Sequence, residues 1–461
     1  MKNILKKTLP FFLIVILSYW AVKPLLVDGY FPVHDATQIE RVYEMAKALK
    51  EGQFPVRWVA DLGYGYGYPI FNFYSPLPYY VGAFLNLIGF NLLIATKGMF
   101  FLGIILSGFF MYLLAKEFWG KVGGLISALF YIYAPYHALD IYVRGAVGEF
   151  WAIAFLPLTF YGLYRVKKDS KWQSVFTGAL GIAGVILSHN ITALILFPIL
   201  LALIVYWAIG LGSDKKINQA IPIIFSLSLG LGLSAFFWLP AITEANYTNV
   251  SSQIGGGADF RNHFIFLDQL WDSPWGFGGS AGRLSGISFK IGKIHLLVSL
   301  AVLIIALFKW IKRKIVKKEI FAATLLLVIA VFFSIDLSKP IWEKIEPMSY
   351  IQYPWRFLIF MIFPTSFLAG GILLLFNRMT VRLAVSAILL LFLIFFNIKY
   401  FSPKEFVAVK ESDFTSEDNL KWKVSKISDE YLPPNFPIPK DPRDVVNQKI
   451  ELSESEGSIE P

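Results

Sequence analysis

Apolar runs of roughly 17–25 residues recur along almost the whole chain, each long enough to cross a ~30 Å hydrocarbon layer as a helix. Few folds accommodate that pattern, so the chain reads as an all-α polytopic membrane protein. Composition agrees: the 461 residues are 56% apolar, 17% aromatic and only 16% charged, where soluble domains carry about a quarter charged residues. Cysteine is absent, which excludes disulfide staples, thiol catalysis and thiolate metal sites. Lys2, Lys6 and Lys7 precede the first apolar run without a cleavage pattern, so that run is expected to remain as an anchor.

Spans are expected near 8–26, 92–115, 121–136, 148–165, 172–188, 191–210, 218–240, 292–310, 319–335, 355–376 and 381–400. The stretch 77–90 is apolar but short and fenced by prolines, so it reads as interfacial or re-entrant. Eleven spans then place the loops 1–7, 116–121, 165–171, 211–217, 309–319 and 377–382 on the cytoplasmic side. They hold 19 Lys/Arg against 4 acidic residues, as the positive-inside rule requires. The formal +10 charge is therefore a matter of topology rather than of nucleic-acid binding. The resulting layout is a bacterial inner-membrane protein, N-terminus cytoplasmic and C-terminus external. A polytopic domain covers 1–400, with external loops 27–90 and 241–291, and an external polar tail covers 401–461. That tail is Pro-rich and acidic, too short to bury much core, and reads as an appendage or the start of a larger domain.

In this topology nearly every unusual polar residue falls outside: His34-Asp35, Arg144 to Glu149, Ser188-His189-Asn190, the loop 241–291, and Gln352 to Arg356. A transporter would place polar groups within its spans, and these spans are almost free of charge. In the first external loop, Asp35-Ala36-Thr37-Gln38 has the spacing of a capping box. Ile39, Val42, Tyr43, Ala46 and Leu49 then share one face, with Glu40, Arg41, Glu44, Lys47 and Lys50 largely opposite, and Gly52 closes the segment. Such a helix is expected to lie in the headgroup plane, and Asp35 then has a purely local role open to it as N-cap. Beyond it, Gly63-Tyr64-Gly65-Tyr66-Gly67-Tyr68-Pro69 and Phe71 to Pro76 alternate aromatics with glycine, suiting either a sugar-stacking wall or an interfacial aromatic belt. The Gly-, Trp- and Ser-rich 241–291 stretch suits a lid over a site or a plain connector.

Several of these motifs occur together in a known group. His34-Asp35, Phe54-Pro55-Val56-Arg57-Trp58, Gly67-Tyr68-Pro69, Tyr74-Ser75-Pro76-Leu77-Pro78-Tyr79, Tyr142 to Glu149, and Ser188-His189-Asn190 resemble the bacterial membrane proteins called 6-pyruvoyl-tetrahydropterin synthase-related. The resemblance covers roughly 1–435, ending in Asp429-Glu430-Tyr431-Leu432-Pro433. Their layout is similar to the GT-C glycosyltransferases, which implies external loop helices, an acidic residue in the first external loop, here Asp35, and a polyprenyl-phosphate sugar donor. The pterin label does not carry a function: a pterin synthase needs clustered zinc-binding histidines, whereas His34, His137, His189, His263 and His295 are scattered.

Transfer from such a donor needs a carboxylate to deprotonate or orient the acceptor hydroxyl, and cations to hold the departing phosphate. Asp35 and Glu149 are the candidate catalytic carboxylates, and Arg144, Arg356, Arg57, Arg261 and His189 the candidate donor-phosphate ligands. His34, Tyr68, Tyr74 and Trp355 are candidate substrate contacts, and any divalent metal ion would fall to Asp35. Structural roles compete at some positions: Glu149 suits a helix N-terminus and Arg144 a snorkelling span end. The expected function is sugar transfer from a polyprenyl-phosphate donor to an envelope saccharide, lipid or protein acceptor. The alternatives are a lipid-linked-saccharide flippase or transporter, and a non-catalytic envelope-assembly protein. Reporter fusions at residues 168, 214 and 314 should read cytoplasm, and fusions at 265 and 420 outside; an outward reading at 314 breaks the topology.

Overall fold

A computed structural model describes residues 2–209, 213–283, 286–312 and 317–445. Helices dominate; among the described residues β-pairing is limited to three isolated bridges. Among the described residues, six helices are long and apolar enough to cross a membrane, or up to eight if each of two bent pairs counts as one span. The bent pairs are Thr8–Leu17 with Tyr19–Leu26, and Ala220–Leu233 with Ala235–Thr243. The helical stretch Leu92–Ile132 breaks at Gly120 (φ 75°, ψ 179°), where the sequence places a loop between two spans, and its two halves turn back on each other: a Cβ on Gly108 would lie 2.4 Å from the Ile132 side chain. Trp172–Ser188 and Lys318–Ser334 are apolar helices of 17 residues each. Among the described residues, length and composition alone count fewer spans than the eleven expected, because two segments are bent, others are short, and the two helices that meet at Gly120 count once. Leu77–Leu87 is a separate helix of 11 residues, as its flanking prolines require.

In lipid, helices associate through close packing rather than the hydrophobic effect, and small residues permit it. Val147–Asp169 and Trp172–Ser188 meet in this way: a Cβ on Gly162 would lie 2.3 Å from the Gly178 backbone. That contact holds the helix beginning at Val147, and with it Glu149, against the end of its neighbour.

The first-loop helix Gln38–Lys50 departs from the sequence expectation. Its apolar face is buried, and so are Glu40, Arg41 and Glu44 on the opposite face. It is packed on both faces rather than on one, because the loop after it and residues 401–445 cover its polar side. Tyr30 and Val407 exchange both backbone hydrogen bonds (3.0 and 2.8 Å), fixing the C-terminal segment beside the loop. Asn419 then donates to Glu40 at 3.1 Å, while the Tyr68 hydroxyl accepts the Tyr431 N–H at 3.0 Å. Leu420, Val424 and Leu432 are buried in the main core. The segment expected to be a tail with little core therefore supplies both apolar surface and the polar partners that make burial of the loop helix tolerable. Residues 446–461 of that tail lie outside the described residues.

Glu44 is 1% exposed, with neither carboxyl oxygen hydrogen-bonded by a donor. Its pKa is pushed up from 4.5 to about 8, first by burial and then by the neighbouring Asp61 charge. Asp61 itself is held by Lys47 Nζ at 2.5 Å. Burial likewise raises Glu40 and Glu430. A carboxyl that keeps its proton only when folded contributes stability in full below pH 4.5, and that contribution drains away as pH rises to about 8. The loop helix should therefore exchange amide hydrogens faster, relative to intrinsic rates, at pH 8 than at pH 5.5. Glu44→Gln should flatten that dependence; an unchanged slope would show that another group carries it.

Candidate active site

Asp35 is placed by backbone, not by a helix cap. The loop helix begins at Gln38, and its N-cap Thr37 makes no side-chain cap bond, so the capping-box expectation fails. The His34 N–H instead donates to the Val143 carbonyl (3.0 Å) and the Asp35 N–H to the Arg144 carbonyl (2.7 Å). Gln38, 1% exposed, completes the staple: its amide donates to the Gly145 carbonyl at 2.7 Å and accepts from the Tyr79 hydroxyl at 2.5 Å. Gly145 adopts φ +69°, and a Cβ there would meet the Val33 side chain at 2.6 Å, so this turn demands glycine. The side chains of His34 and Asp35 are left exposed.

The turn Asp140–Arg144 faces the start of the helix Val147–Asp169 and folds its charges together. Arg144 Nη1 donates to Asp140 Oδ1 (2.5 Å) and to the Tyr136 hydroxyl (3.2 Å), and Nη2 donates to Glu149 Oε2 (2.9 Å). The Tyr136 hydroxyl donates to the other Glu149 oxygen. The Arg144 guanidinium lies over the Trp355 ring, 4.5 Å from its centroid. Arg356 Nε is 3.9 Å from Glu149 Oε2 and has no hydrogen-bond partner, although buried. Arg356 Nη1 is held by the Ile351 carbonyl at 2.7 Å and Gln352 Oε1 at 3.0 Å. His189 abuts this group, since Gly148 approaches its Cδ2 and the Ser188 carbonyl. The His189 Nδ1 accepts the Thr192 N–H at 3.2 Å, which leaves Nε2 to carry the proton of a neutral ring.

His34, Asp35, Glu149, Arg144, Arg356, His189 and Trp355 thus converge, and Arg57, Arg261, Tyr68 and Tyr74 do not. Arg57 is exposed and donates to the Phe236 carbonyl at 3.4 Å. Arg261 pairs with Asp259 (3.3 Å) and Glu343 (3.2 Å). Tyr74 carries the Arg41 guanidinium on its face, 4.2 Å away, and Tyr68 is buried against Tyr431, so both belong to the loop-helix core. Of the 241–291 segment, Phe277 touches the His34 ring edge-on at 5.6 Å and the Gln253 carbonyl accepts from Gln352 at 2.8 Å. The described residues of this segment form short turns and the five-residue helix Leu267–Trp271. Asp140 and Tyr136 carry no motif in the sequence, Gln38 reads there only as part of a cap, and Gln352 only as one residue of the stretch Gln352 to Arg356.

The chemistry available is an exposed carboxylate beside two guanidiniums in a largely buried setting. Among the described residues no group of three His, Asp or Glu side chains is placed to hold a metal ion by itself. Glu149 has both oxygens committed to Arg144 and Tyr136, and Asp140 one.

Residues 71–255 match the model of the 6-pyruvoyl-tetrahydropterin synthase related domain, a membrane protein. An uncharacterised protein of Lactococcus lactis subsp. cremoris is 26% identical over 328 residues, 68% of this chain and 51% of its own length. The chain therefore spans about half of that relative. The fold is that of the oligosaccharyltransferase AglB from Archaeoglobus fulgidus, solved with an inhibitory peptide and a dolichol-phosphate (TM-score 0.57, 13% identity, 94% of this chain and 62% of that one). ArnT from Cupriavidus metallidurans, bound to undecaprenyl phosphate, is similar at TM-score 0.50 and 13% identity, over 83% of this chain and 63% of that one. Both solved neighbours share the all-α fold of this chain.

Gln38→Leu strands the Gly145 carbonyl and the Tyr79 hydroxyl, and should cost about 1–3 kcal/mol in thermal or denaturant unfolding. Tyr79→Phe made on top should add much less than it costs alone, because the partner is already lost. Strict additivity of the two would mean that Gln38 does not link them.

Proposed function

We propose that this chain, whose residues 71–255 carry the 6-pyruvoyl-tetrahydropterin synthase related membrane domain on a GT-C fold, is a glycosyltransferase using a polyprenyl-phosphate-linked sugar at the outer membrane face. The observation that carries the reading is the backbone staple that sets an exposed Asp35 beside Arg144, Glu149 and Arg356. Support comes also from the two solved neighbours, each holding a polyprenyl-type phosphate.

In this reading the acceptor hydroxyl oxygen attacks the anomeric carbon of the donor sugar. The bond between that carbon and the phosphate oxygen breaks, and its electron pair leaves with the polyprenyl phosphate. The hydroxyl proton passes to the Asp35 carboxylate. Arg356, with an uncommitted buried Nε–H, and Arg144 stabilise the negative charge gathering on the phosphate. Glu149 holds both guanidiniums and is positioning rather than basic, since its oxygens are occupied. Trp355 stacks under Arg144 and fixes its plane. His189 at the edge of the group can donate from Nε2 to a phosphate oxygen. The acceptor is an envelope saccharide, lipid or protein, and the setting is the bacterial inner membrane with the first loop external.

Asp35→Asn keeps side-chain volume and, because Asp35 caps no helix, should leave folding unchanged. Turnover of a polyprenyl-phosphate sugar should nonetheless fall about 10²–10⁴-fold. Wild-type turnover in that variant would remove Asp35 as base. Donor binding without transfer to any acceptor, across a broad panel, would favour the flippase or scaffold alternatives.

A further inference from the structure

Gln352 combines features that its sequence neighbourhood does not announce. Its backbone sits at φ +64°, ψ −47°, and the Tyr353 N–H closes back onto the Ile351 carbonyl at 2.6 Å. That is the strained form of the γ-turn, rare for any residue with a Cβ. Strain of this kind persists where the surroundings over-determine it, and clusters at functional sites. Pro354 follows and keeps Tyr353 extended (φ −124°, ψ 106°). The Gln352 amide is also held at both ends. Its oxygen accepts from Arg356 Nη1 at 3.0 Å, and its nitrogen donates to the Gln253 carbonyl at 2.8 Å. Gln253 lies in the turn Val250–Gln253 of the external 241–291 segment, 99 residues away in sequence. One amide therefore joins that segment to the guanidinium whose Nε stands 3.9 Å from Glu149 without a hydrogen-bond partner.

We propose that Gln352 is a positioning residue that couples seating of the external segment around residues 250–258 to the placement of Arg356 on the phosphate of a polyprenyl-phosphate ligand; this rests on the transferase reading above. With the segment seated, the Gln253 carbonyl fixes the amide, the amide oxygen fixes Arg356 Nη1, and Arg356 Nε is left pointing at the site. With the segment lifted, the amide loses its outer anchor and Arg356 its fixed plane. Charge placement and loop closure then become one event, so the cation is fully organised only when the site is covered.

Three substitutions test this, read by hydrogen–deuterium exchange over residues 249–258 and by binding of polyprenyl phosphate to the purified full chain. Gln352→Ala removes both amide contacts: exchange should rise several-fold and polyprenyl phosphate affinity fall about 5–10-fold. Gln352→Glu retains an acceptor for Arg356 but sets a carboxylate against the Gln253 carbonyl. Its exchange should match that of Gln352→Ala, with still weaker phosphate binding as the new charge competes for Arg356. Gln352→Gly accepts this backbone without strain and guards against a variant that fails to fold. A merely structural Gln352 predicts wild-type exchange and affinity for the glycine variant, whereas coupling predicts the alanine phenotype. Wild-type exchange in all three variants, or wild-type affinity in all three, overturns the proposal. If the wild-type chain binds no polyprenyl phosphate, the transferase reading fails instead, and loop exchange alone decides whether Gln352 anchors the segment.

Discussion

Arg144 is the residue on which the rest of the site depends, because its backbone and its side chain do different jobs. Its carbonyl accepts the Asp35 N–H and so fixes the first loop, while its guanidinium gathers Asp140, Tyr136 and Glu149. Buried carboxylates near a membrane are tolerable only when paired and hydrogen-bonded. Asp140 and Glu149 meet that condition through one cation, with Arg356 close behind. Asp35 needs no such partner, since it stays exposed to water.

The second constraint is that the first loop must be immobile for Asp35 to be useful. A free headgroup-plane helix would not provide this. Burial on both faces does, with the C-terminal segment supplying Asn419 to Glu40 and the Tyr30–Val407 bridge clamping the start of the loop. The cost is a set of carboxyls, Glu40, Glu44 and Glu430, whose burial raises their affinity for protons. Rigidity of the loop is thereby tied to pH at a distance from the charges that would handle the phosphate.

How much of this was legible in the sequence follows from what kind of signal each residue carries. Membrane class and helical architecture follow from apolar run length, which is a one-dimensional property. His34-Asp35, Arg144, Glu149, His189, Trp355 and Arg356 stand out as polar or aromatic residues where apolar spans end, and the structure brings them together. Asp140 escaped notice inside an apolar stretch, although its spacing of four from Arg144 is a readable ion-pair signal. Gln38 was legible only as part of a cap, since nothing local announces a bond to Gly145, 107 residues away. Gln352 was visible only as one residue of the stretch Gln352 to Arg356, with no local sign of its strained turn. Tyr68 and Tyr74 look like sugar-stacking aromatics until the C-terminal segment, far away in sequence, is laid over them. Arg57 and Arg261 find their partners elsewhere, since a charge in a loop reveals its sign but not what it meets.

The most direct test is a structure of the full chain with polyprenyl phosphate, determined by electron cryomicroscopy in a lipid nanodisc. The account predicts phosphate density within hydrogen-bond reach of Arg356, with Arg144 beside it and the Asp35 carboxylate facing the open side of the phosphate. Phosphate density away from both arginines, or a first loop detached from residues 143–145 with the lipid bound, would contradict it.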